Sequence, residues 1–333
     1  MKANIRQISE ETGFSLATVS NALNQKKGVS PETSRLIFEA AERLGYFTES
    51  RISRLKFVTY KKTGEVVEDT PFFPLMIAGV EQECRSLGMD MLICNLDRRE
   101  DNFEEQLKAL QNDKSSMIIL LGTELSDEDR YIIDGMKGLF VVIDYWAEDM
   151  GFDSVLINNA DATITACRYL AAHGHKKIGY LRGNFRIRPF RERSGGYRSA
   201  LRHEGLEYNE KNIVTLRTTI NGAYEDMKAY LARKPKLPTA FFADNDIIAL
   251  GAMKALNEAG YKIPEDVSIV GFDDISYSSI SNPPLTTVKV PKQEIGRAAV
   301  RRLRDMAGDH ERNHIKTQIC TQFIERDSVA EAF

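Results

Sequence analysis

Three sets of polar residues stand at the ends of apolar runs in this 333-residue sequence. Asp144 follows the run 140–143, Asn245 and Asp246 follow 240–244, and Asp273 and Asp274 follow 269–272. Carboxylates and amides bond hydroxyls in pairs, and aromatic rings stack on the apolar face of a sugar. Phe72, Phe73, Tyr145 and Trp146 supply such rings. Taken singly, each polar residue reads as a cap or turn, with Asp246 expected to open the helix after it. Their shared placement points to a polyhydroxylated ligand. The chain has no Gly-rich phosphate loop, no HExxH and no G-x-S-x-G, and no nucleophile or metal set accompanies the acids. Binding rather than turnover is therefore expected, with no cofactor and no metal. The His173-Gly-His175 stretch beside Lys176 and Lys177 reads as a solvated loop.

A second constellation lies near the N-terminus. Residues 5–11 read as a short helix with Ile5 and Ile8 inward. Gly13 suits a left-handed turn, and Ser15 stands where an N-cap belongs, with Thr18 at its third helical position. Residues 16–24 form a second helix with an apolar face of Val19, Ala22 and Leu23. Its other face carries Leu16, Ala17, Thr18, Ser20, Asn21 and Asn24, small and polar groups that suit phosphates and base edges. Ser30-Pro31-Glu32 opens a third helix with Leu36, Ile37, Ala40, Ala41 and Leu44 as its buried stripe and Gly45 at its end. Two short helices joined by a tight turn make a helix-turn-helix. Charge agrees. Net charge is −3, yet residues 1–62 hold eleven Lys or Arg against six Asp or Glu. The head is thus about +5 and the remainder about −8, as for a nucleic-acid module joined to an acidic body.

From Phe57 onward, short apolar runs alternate with amphipathic helices. Strands are expected at 57–60, 89–95, 117–121, 140–143, 177–181, 239–242 and 268–272, with helices such as 160–172, 192–204, 246–259 and 292–306. About a dozen strands in two sets imply two parallel-sheet subdomains, with ligands beyond the strands' carboxyl ends. The four cysteines, none in a C-x-x-C pair, are expected as reduced core residues. No apolar run is long enough to cross a bilayer, and no secretory signal is evident, so a cytoplasmic protein is expected.

The string from Ile8 to Asn24, Val29-Ser30-Pro31-Glu32-Thr33 and Leu44-Gly45-Tyr46 resemble the opening of the LacI/GalR family of bacterial repressors. The body is similar too, at Arg193–Leu201's stretch R-S-G-G-Y-R-S-A-L, at 242–253, at 263–274 and at Pro284-Leu285-Thr286-Thr287-Val288. The resemblance implies a small all-α helix-turn-helix domain plus an α/β periplasmic-binding-protein-like core of two doubly wound subdomains. It divides the chain into a DNA-binding domain at 1–47, a hinge at 48–56, an N-subdomain at 57–158 with about 288–316, and a C-subdomain at 159–287 with about 317–330. It places Leu16, Ala17 and Asn21 over base edges, and Ser15, Thr18, Ser20, Asn24, Ser30 and Thr33 near phosphates. Leu55 matches a hinge leucine that wedges into the minor groove, and Arg51, Arg54 and Lys56 would serve phosphates. Thr48, Glu49, Ile52 and Ser53 depart from the family's hinge. Effector contacts would be Phe72, Phe73, Asp144, Tyr145, Asn158, Arg193, Asn245 and Asp273, with Arg193 as a donor fork and Asp273 accepting from two hydroxyls.

The implied function is a ligand-responsive, sequence-specific transcriptional repressor. Its partners are double-stranded operator DNA, a sugar or sugar-phosphate effector, and a second copy in a homodimer; no membrane is expected. The basic stretch 186–191 leaves an anionic effector open, beside the reading of a solvated loop. The alternative is a cytoplasmic or transport-type sugar-binding protein without DNA function.

Overall fold

A computed structural model describes residues 4–23, 29–44, 54–68, 70–149, 151–307 and 313–332. The chain splits into two compact units, Met1–Ser53 and Arg54–Phe333.

The head has three helices: α1 (Ile5–Thr12), α2 (Leu16–Leu23) and α3 (Pro31–Arg43). Asn4 caps α1, its side chain accepting from the Arg6 and Gln7 amides, while the Gln7 side chain accepts from the Asn4 amide. Gly13 ends the helix at φ 71°, a left-handed conformation that side chains resist, and its amide donates to Ser9. Ser15 accepts from the Thr18 amide, and Ser30 from that of Thr33, so both later helices start on hydroxyl caps. Ile8, Val19, Ala22, Ile37, Ala40 and Ala41 form the shared centre. Leu36, expected in that stripe, is instead 41% exposed. It follows Arg35 on the outward arc of α3, one position short of the inward Ile37.

The core begins at β1 (Arg54–Lys61), followed by α4 (Phe72–Ser86), β2 (Asp90–Asp97), α5 (Phe103–Gln111), β3 (Met117–Leu121), α6 (Tyr131–Asp134), β4 (Leu139–Ile143) and β5 (Asp153–Ile157). Then come α7 (Asn159–Ala172), β6 (Ile178–Gly183), α8 (Arg188–His203), β7 (Ile213–Leu216), α9 (Ile220–Leu231), β8 (Ala240–Ala243), α10 (Asp246–Glu258) and β9 (Ser268–Val270). The chain closes with β10 (Thr287–Lys289), α11 (Lys292–Ala307), β11 (Lys316–Ile319) and β12 (Gln322–Ile324). One parallel sheet runs β11-β5-β4-β3-β1-β2 and another β7-β6-β8-β9; β10 and β12 pair antiparallel. Strand order reverses beside β1 in the first sheet and beside β6 in the second, which opens a crevice at the carboxyl ends of each. The chain crosses between subdomains three times: after β5, after β10 and after β11. Residues 317–319, assigned from sequence to the C-subdomain, belong to β11 of the N-subdomain sheet. Helices α4 and α11 pack so closely that a Cβ on Gly296 would lie 2.4 Å from the Met76 carbonyl.

The hinge expectation needs a correction. Residues 54–56 lie in β1, held between β2 and β3, with Leu55 opposite Met91 and Met117. Leu55 is fully buried. It is therefore a core residue rather than a minor-groove wedge, because full burial of a leucine stabilises by about 1.5–3 kcal/mol. Lys56 pairs with Asp113 at 2.6 Å. The remaining hinge positions, 48–53, lie outside the described residues, as does Asn24. Two smaller expectations also change. His175 is buried, bonded to the Thr239 hydroxyl and the Ala330 carbonyl, so it is not in a solvated loop. Of the cysteines, Cys84 and Cys167 are buried but Cys320 is exposed. Among the described residues no helix is long and apolar enough to cross a membrane.

Truncating Leu55 should test its placement. Leu55→Ala is expected to lower the core's unfolding free energy by about 2–5 kcal/mol, read by chemical denaturation of the full chain. A loss under about 0.5 kcal/mol, as for surface sites, would contradict a buried Leu55.

Candidate DNA-reading face and effector cavity

Helix α2 presents its small residues outward. Ser15, Leu16 and Ala17 are exposed, Leu16 at 51%, while Thr18, Ser20 and Asn21 are half-buried. Val19 and Ala22 hold the opposite side against α1 and α3. An exposed leucine with an alanine beside it is costly in water and suited to thymine methyls. The Ser15 and Thr18 hydroxyls bond each other at 2.8 Å, as do those of Ser30 and Thr33. These pairs stand at helix N-termini, where amide groups attract phosphate oxygens. Phe14 leans into the centre, and Ser9 donates to its carbonyl at 2.6 Å, fixing the turn between the first two helices.

In the core, the loops beyond the strand ends of both subdomains line one cavity. Val66, Thr70, Phe72, Phe73, Thr123, Asp144 and Ile157 come from the N-subdomain side; Ile187, Pro189, Phe190, Arg193, Asn245 and Asp273 come from the other. Its volume is about 30 Å³, room for a water molecule. Six of the eight sequence-predicted effector residues line it: Phe72, Phe73, Asp144, Arg193, Asn245 and Asp273. Tyr145 and Asn158 do not. The chain leaves β4 at Ile143 and Asp144 takes a left-handed φ of 65°, after which Tyr145 is buried against Phe152, 6.3 Å away. Asn158 turns outward to bond Asp161, and it is Asn159 that reaches Arg193.

Arg193 is the hub. It donates to Asn159 Oδ1 at 2.8 Å and to the Asp244 carbonyl, and its guanidinium lies 3.6 Å over the Phe272 ring. Its Nη2 stands 3.5 Å from Asp273 Oδ1. Asp144 accepts from the Thr123 hydroxyl through Oδ2 only. The Oδ1 atoms of Asp144 and Asp273 are buried and accept no hydrogen bond from any described residue. Burial raises the carboxyls of both aspartates to about 6, against the pull of the Arg193 charge. Both adopt positive φ, 65° and 115°, so the backbone is strained where these acids are presented.

The surrounding polar groups hold this frame. Asn245, rather than Asp246, caps α10, accepting from the Ile248 amide. Asp246 is wholly buried and accepts from the Ser278 and Thr287 hydroxyls and the Ile275 amide; burial first, then the Asp273 charge, raises it to about 7. Glu124 gathers the loop after β1. Its carboxylate accepts from the amides of Lys62, Thr63, Gly64 and Val66 at 2.8–3.0 Å, setting Val66 at the cavity wall. The basic stretch is spent elsewhere. Arg186 pairs with buried Asp244, and Arg188 bonds Asp127 at 2.6 Å while stacking on Trp146. Neither lines the cavity. Sequence reasoning missed Thr123, Phe190 and Glu124. Thr123 is legible as the second residue past a fully apolar strand, but nothing local announces Glu124 as a loop anchor.

The description "Bacterial regulatory proteins, lacI family" matches residues 4–49, and "Periplasmic binding protein-like domain" matches 167–329. The HTH-type transcriptional repressor PurR of Mannheimia succiniciproducens is 30% identical over 330 residues, 98% of each chain. That of Vibrio cholerae is 30% identical over 337 residues, 99% of this chain and 98% of the relative. The chain belongs to the lacI family. Among solved structures, a complex of the transcriptional regulator CelR with cellobiose aligns at TM-score 0.75 with 25% identity, covering 98% of this chain and all of that one. A lac repressor dimer bound to operator and the anti-inducer ONPF shares the fold at TM-score 0.71 and 21% identity, covering 99% and 100%. This lacI-family member is a ligand-responsive, DNA-binding transcriptional repressor.

If the outward face of α2 reads bases, Asn21 is the side chain on it that can bond a base edge. Asn21→Ala is expected to relax preference at one operator position at a cost of about 1–3 kcal/mol, measured by selecting from randomised duplexes. An unchanged base profile would remove Asn21 from the readers.

Proposed function

We propose that this repressor responds to a neutral, polyhydroxylated effector of about one sugar ring, bound between the subdomains. The observation that carries it is the pair of buried Oδ1 atoms on Asp144 and Asp273, which accept no hydrogen bond from the described residues and face one cavity beside the Arg193 fork, Asp273 with only the 3.5 Å ion pair to Arg193. Unsatisfied buried acceptors call for ligand donors, and sugar hydroxyls supply them while Phe72, Phe73 and Phe190 cover the ring's apolar faces. The buried acids outnumber Arg193, and Arg186 and Arg188 are engaged elsewhere, so a sugar phosphate fits less well. Asn245 adds an amide to the hydroxyl set. The contracted cavity, far below the roughly 300 Å³ of small ligand pockets, implies that the subdomains part to admit effector. The protein acts as a regulator without turnover, in the cytoplasm where the operator lies. It works as a homodimer, which gives a partner to the 61%-exposed Ile93 on edge strand β2 and the 78%-exposed Ile280. On the operator, Ser15, Thr18, Ser20, Ser30 and Thr33 serve phosphates while Leu16, Ala17 and Asn21 meet bases.

A thermal-shift screen of sugars against sugar phosphates tests the effector class. Neutral sugars should stabilise the wild type, and Asp273→Asn should lose that shift while keeping operator affinity. Response retained in Asp273→Asn, or stabilisation by phosphates alone, would overturn this reading. Trp146 is the only tryptophan; its indole donates to Glu192 across the cleft at 2.6 Å. A bound effector that parts the subdomains should therefore shift its fluorescence, and an unchanged spectrum at saturation would argue against that motion.

The raised acids give the site a pH dependence. A carboxyl raised in the folded state stabilises the fold while protonated, and this is lost as pH climbs from about 4 through about 7. Asp144 and Asp273 at about 6, with Asp246 at about 7, thus make the ligand-free core melt higher at about pH 5 than at about pH 8. Effector binding should move oppositely, weakening about tenfold by pH 5 because hydroxyls donate best to ionised carboxylates. Calorimetric titration at both pH values checks this; affinity that rises on acidification would contradict it.

A further inference from the structure

Lys292 opens α11, directly after Val290 and Pro291 carry the chain from β10 back to the N-subdomain, and it is buried. Its ammonium reaches back over this crossing and donates to the carbonyls of Asp273 and Asp274, the latter at 3.0 Å. The Asp273 carbonyl also accepts from the Val290 amide at 3.4 Å, and the Lys292 amide donates to the Val290 carbonyl at 2.8 Å. Main chain and side chain thus close a small ring around the crossing. A lysine at the amino end of a helix opposes the helix dipole, and burial disfavours its charge. Burial accordingly lowers the Lys292 pKa, against the pull of Asp273, Asp246 and Asp274. Among the described residues, both acceptors of this ammonium lie on the facing subdomain, in the turn that presents Asp273. On its own side Lys292 is fixed to two helices at once. Helices α11 and α4 leave no room for a Cβ on Gly79 beside the Gln293 carbonyl, and Arg301 pairs with Glu83 at 3.2 Å. Helix α4 starts with Phe72 and Phe73 in the cavity wall, and the ammonium stands 5.3 Å from the Phe72 ring centre.

We infer that Lys292 is the positioning residue through which an effector seated on Asp273 acts on the α4–α11 pair. The inference rests on the effector reading above and adds the side chain that couples it. Ligand hydroxyls on the Asp273 carboxylate fix its turn, the turn's carbonyls hold the ammonium, and the ammonium holds the first turn of α11. The effector's preference between two arrangements of the subdomains is then felt by α4 and α11 together. Without the ammonium the carboxylate still accepts from the effector, but turn and helix move independently and the coupling free energy disappears.

The test uses the full chain, a duplex selected from a randomised pool, and five neutral single-ring sugars as probes: D-glucose, D-galactose, D-mannose, D-fructose and D-ribose. In the wild type, a sugar that raises the melting temperature should change operator affinity by about 5–150-fold at saturation. Lys292→Met keeps the unbranched stem without the donors. It should still be stabilised by the same sugar, while its operator affinities with and without that sugar come to a ratio of about one. A lysine that only props the turn would weaken sugar binding and leave the ratio at saturation intact; that result would overturn the inference and spare the effector reading. If no probe shifts the wild type, the effector reading falls and the inference with it. Should Lys292→Met fail to fold or to bind sugar, amide hydrogen exchange of the wild type decides. Saturating sugar should slow exchange at 273–275 and at 294–296 together. Slowing confined to 273–275, or absent from both, would overturn the inference.

Discussion

The buried charge of Arg193 organises the effector-binding core. A guanidinium cut off from water must find acceptors, and Arg193 finds them on three segments: Asn159 at the start of α7, the Asp244 carbonyl after β8, and Asp273 after β9. Phe272 lies beneath its plane. The positive charge lets Asp144, Asp244 and Asp273 share one region, since each of these acids is stabilised in ionised form by Arg193. Without it, three buried carboxyls would be driven further toward the protonated form and would accept more weakly from a ligand's hydroxyls. Lys292 adds a second buried cation, bonded to the Asp273 and Asp274 carbonyls and so fixing the strained turn that presents Asp273.

The same arginine connects the cavity to the contacts that hold the subdomains together. Asn159 bonds both Arg193 and Glu192, and Glu192 in turn takes the Trp146 indole from the facing subdomain. Trp146 lies between two cations, Arg188 at 4.6 Å and Lys316 at 4.1 Å. Arg188 continues across the cleft to Asp127. A ligand that draws on Arg193 therefore acts on a frame whose outer members bridge the cleft. Exposed pairs of this kind are individually weak. Their weakness suits a switch, because a small difference in ligand affinity between two arrangements is enough to move it.

Much of this was legible in the sequence, for physical reasons that differ by element. The head was readable because its caps are local: Ser15, Ser30 and Gly13 act within three or four residues. The strands 117–121 and 240–243 are buried on both faces and so show as unbroken apolar runs. β5 is hidden in the sequence, since its first residue, Asp153, is an acid whose burial depends on distant Arg302, His314 and the Ile315 amide. The acids at strand ends were legible as a set because topology sends every parallel strand's carboxyl end to one side. Side-chain direction was not legible, which is why Tyr145 and Asn158 were expected in the cavity and lie outside it. Leu55 shows a further limit. Its local string reads equally as hinge or strand, and only partners far along the chain, Met91 and Met117, decide between them.

That choice has a consequence for how ligand and DNA are linked. β1 has one end in each half of the problem. Its carboxyl end runs into the loop clasped by Glu124, from which Val66 and Thr70 face the cavity. Its amino end is Arg54, the first residue of the core after the segment that leads from the head. The strand is eight residues long, about 26 Å at the usual rise, and paired on both sides. Such a strand is stiff, so a displacement of the cavity wall is carried to its far end with little loss in bending.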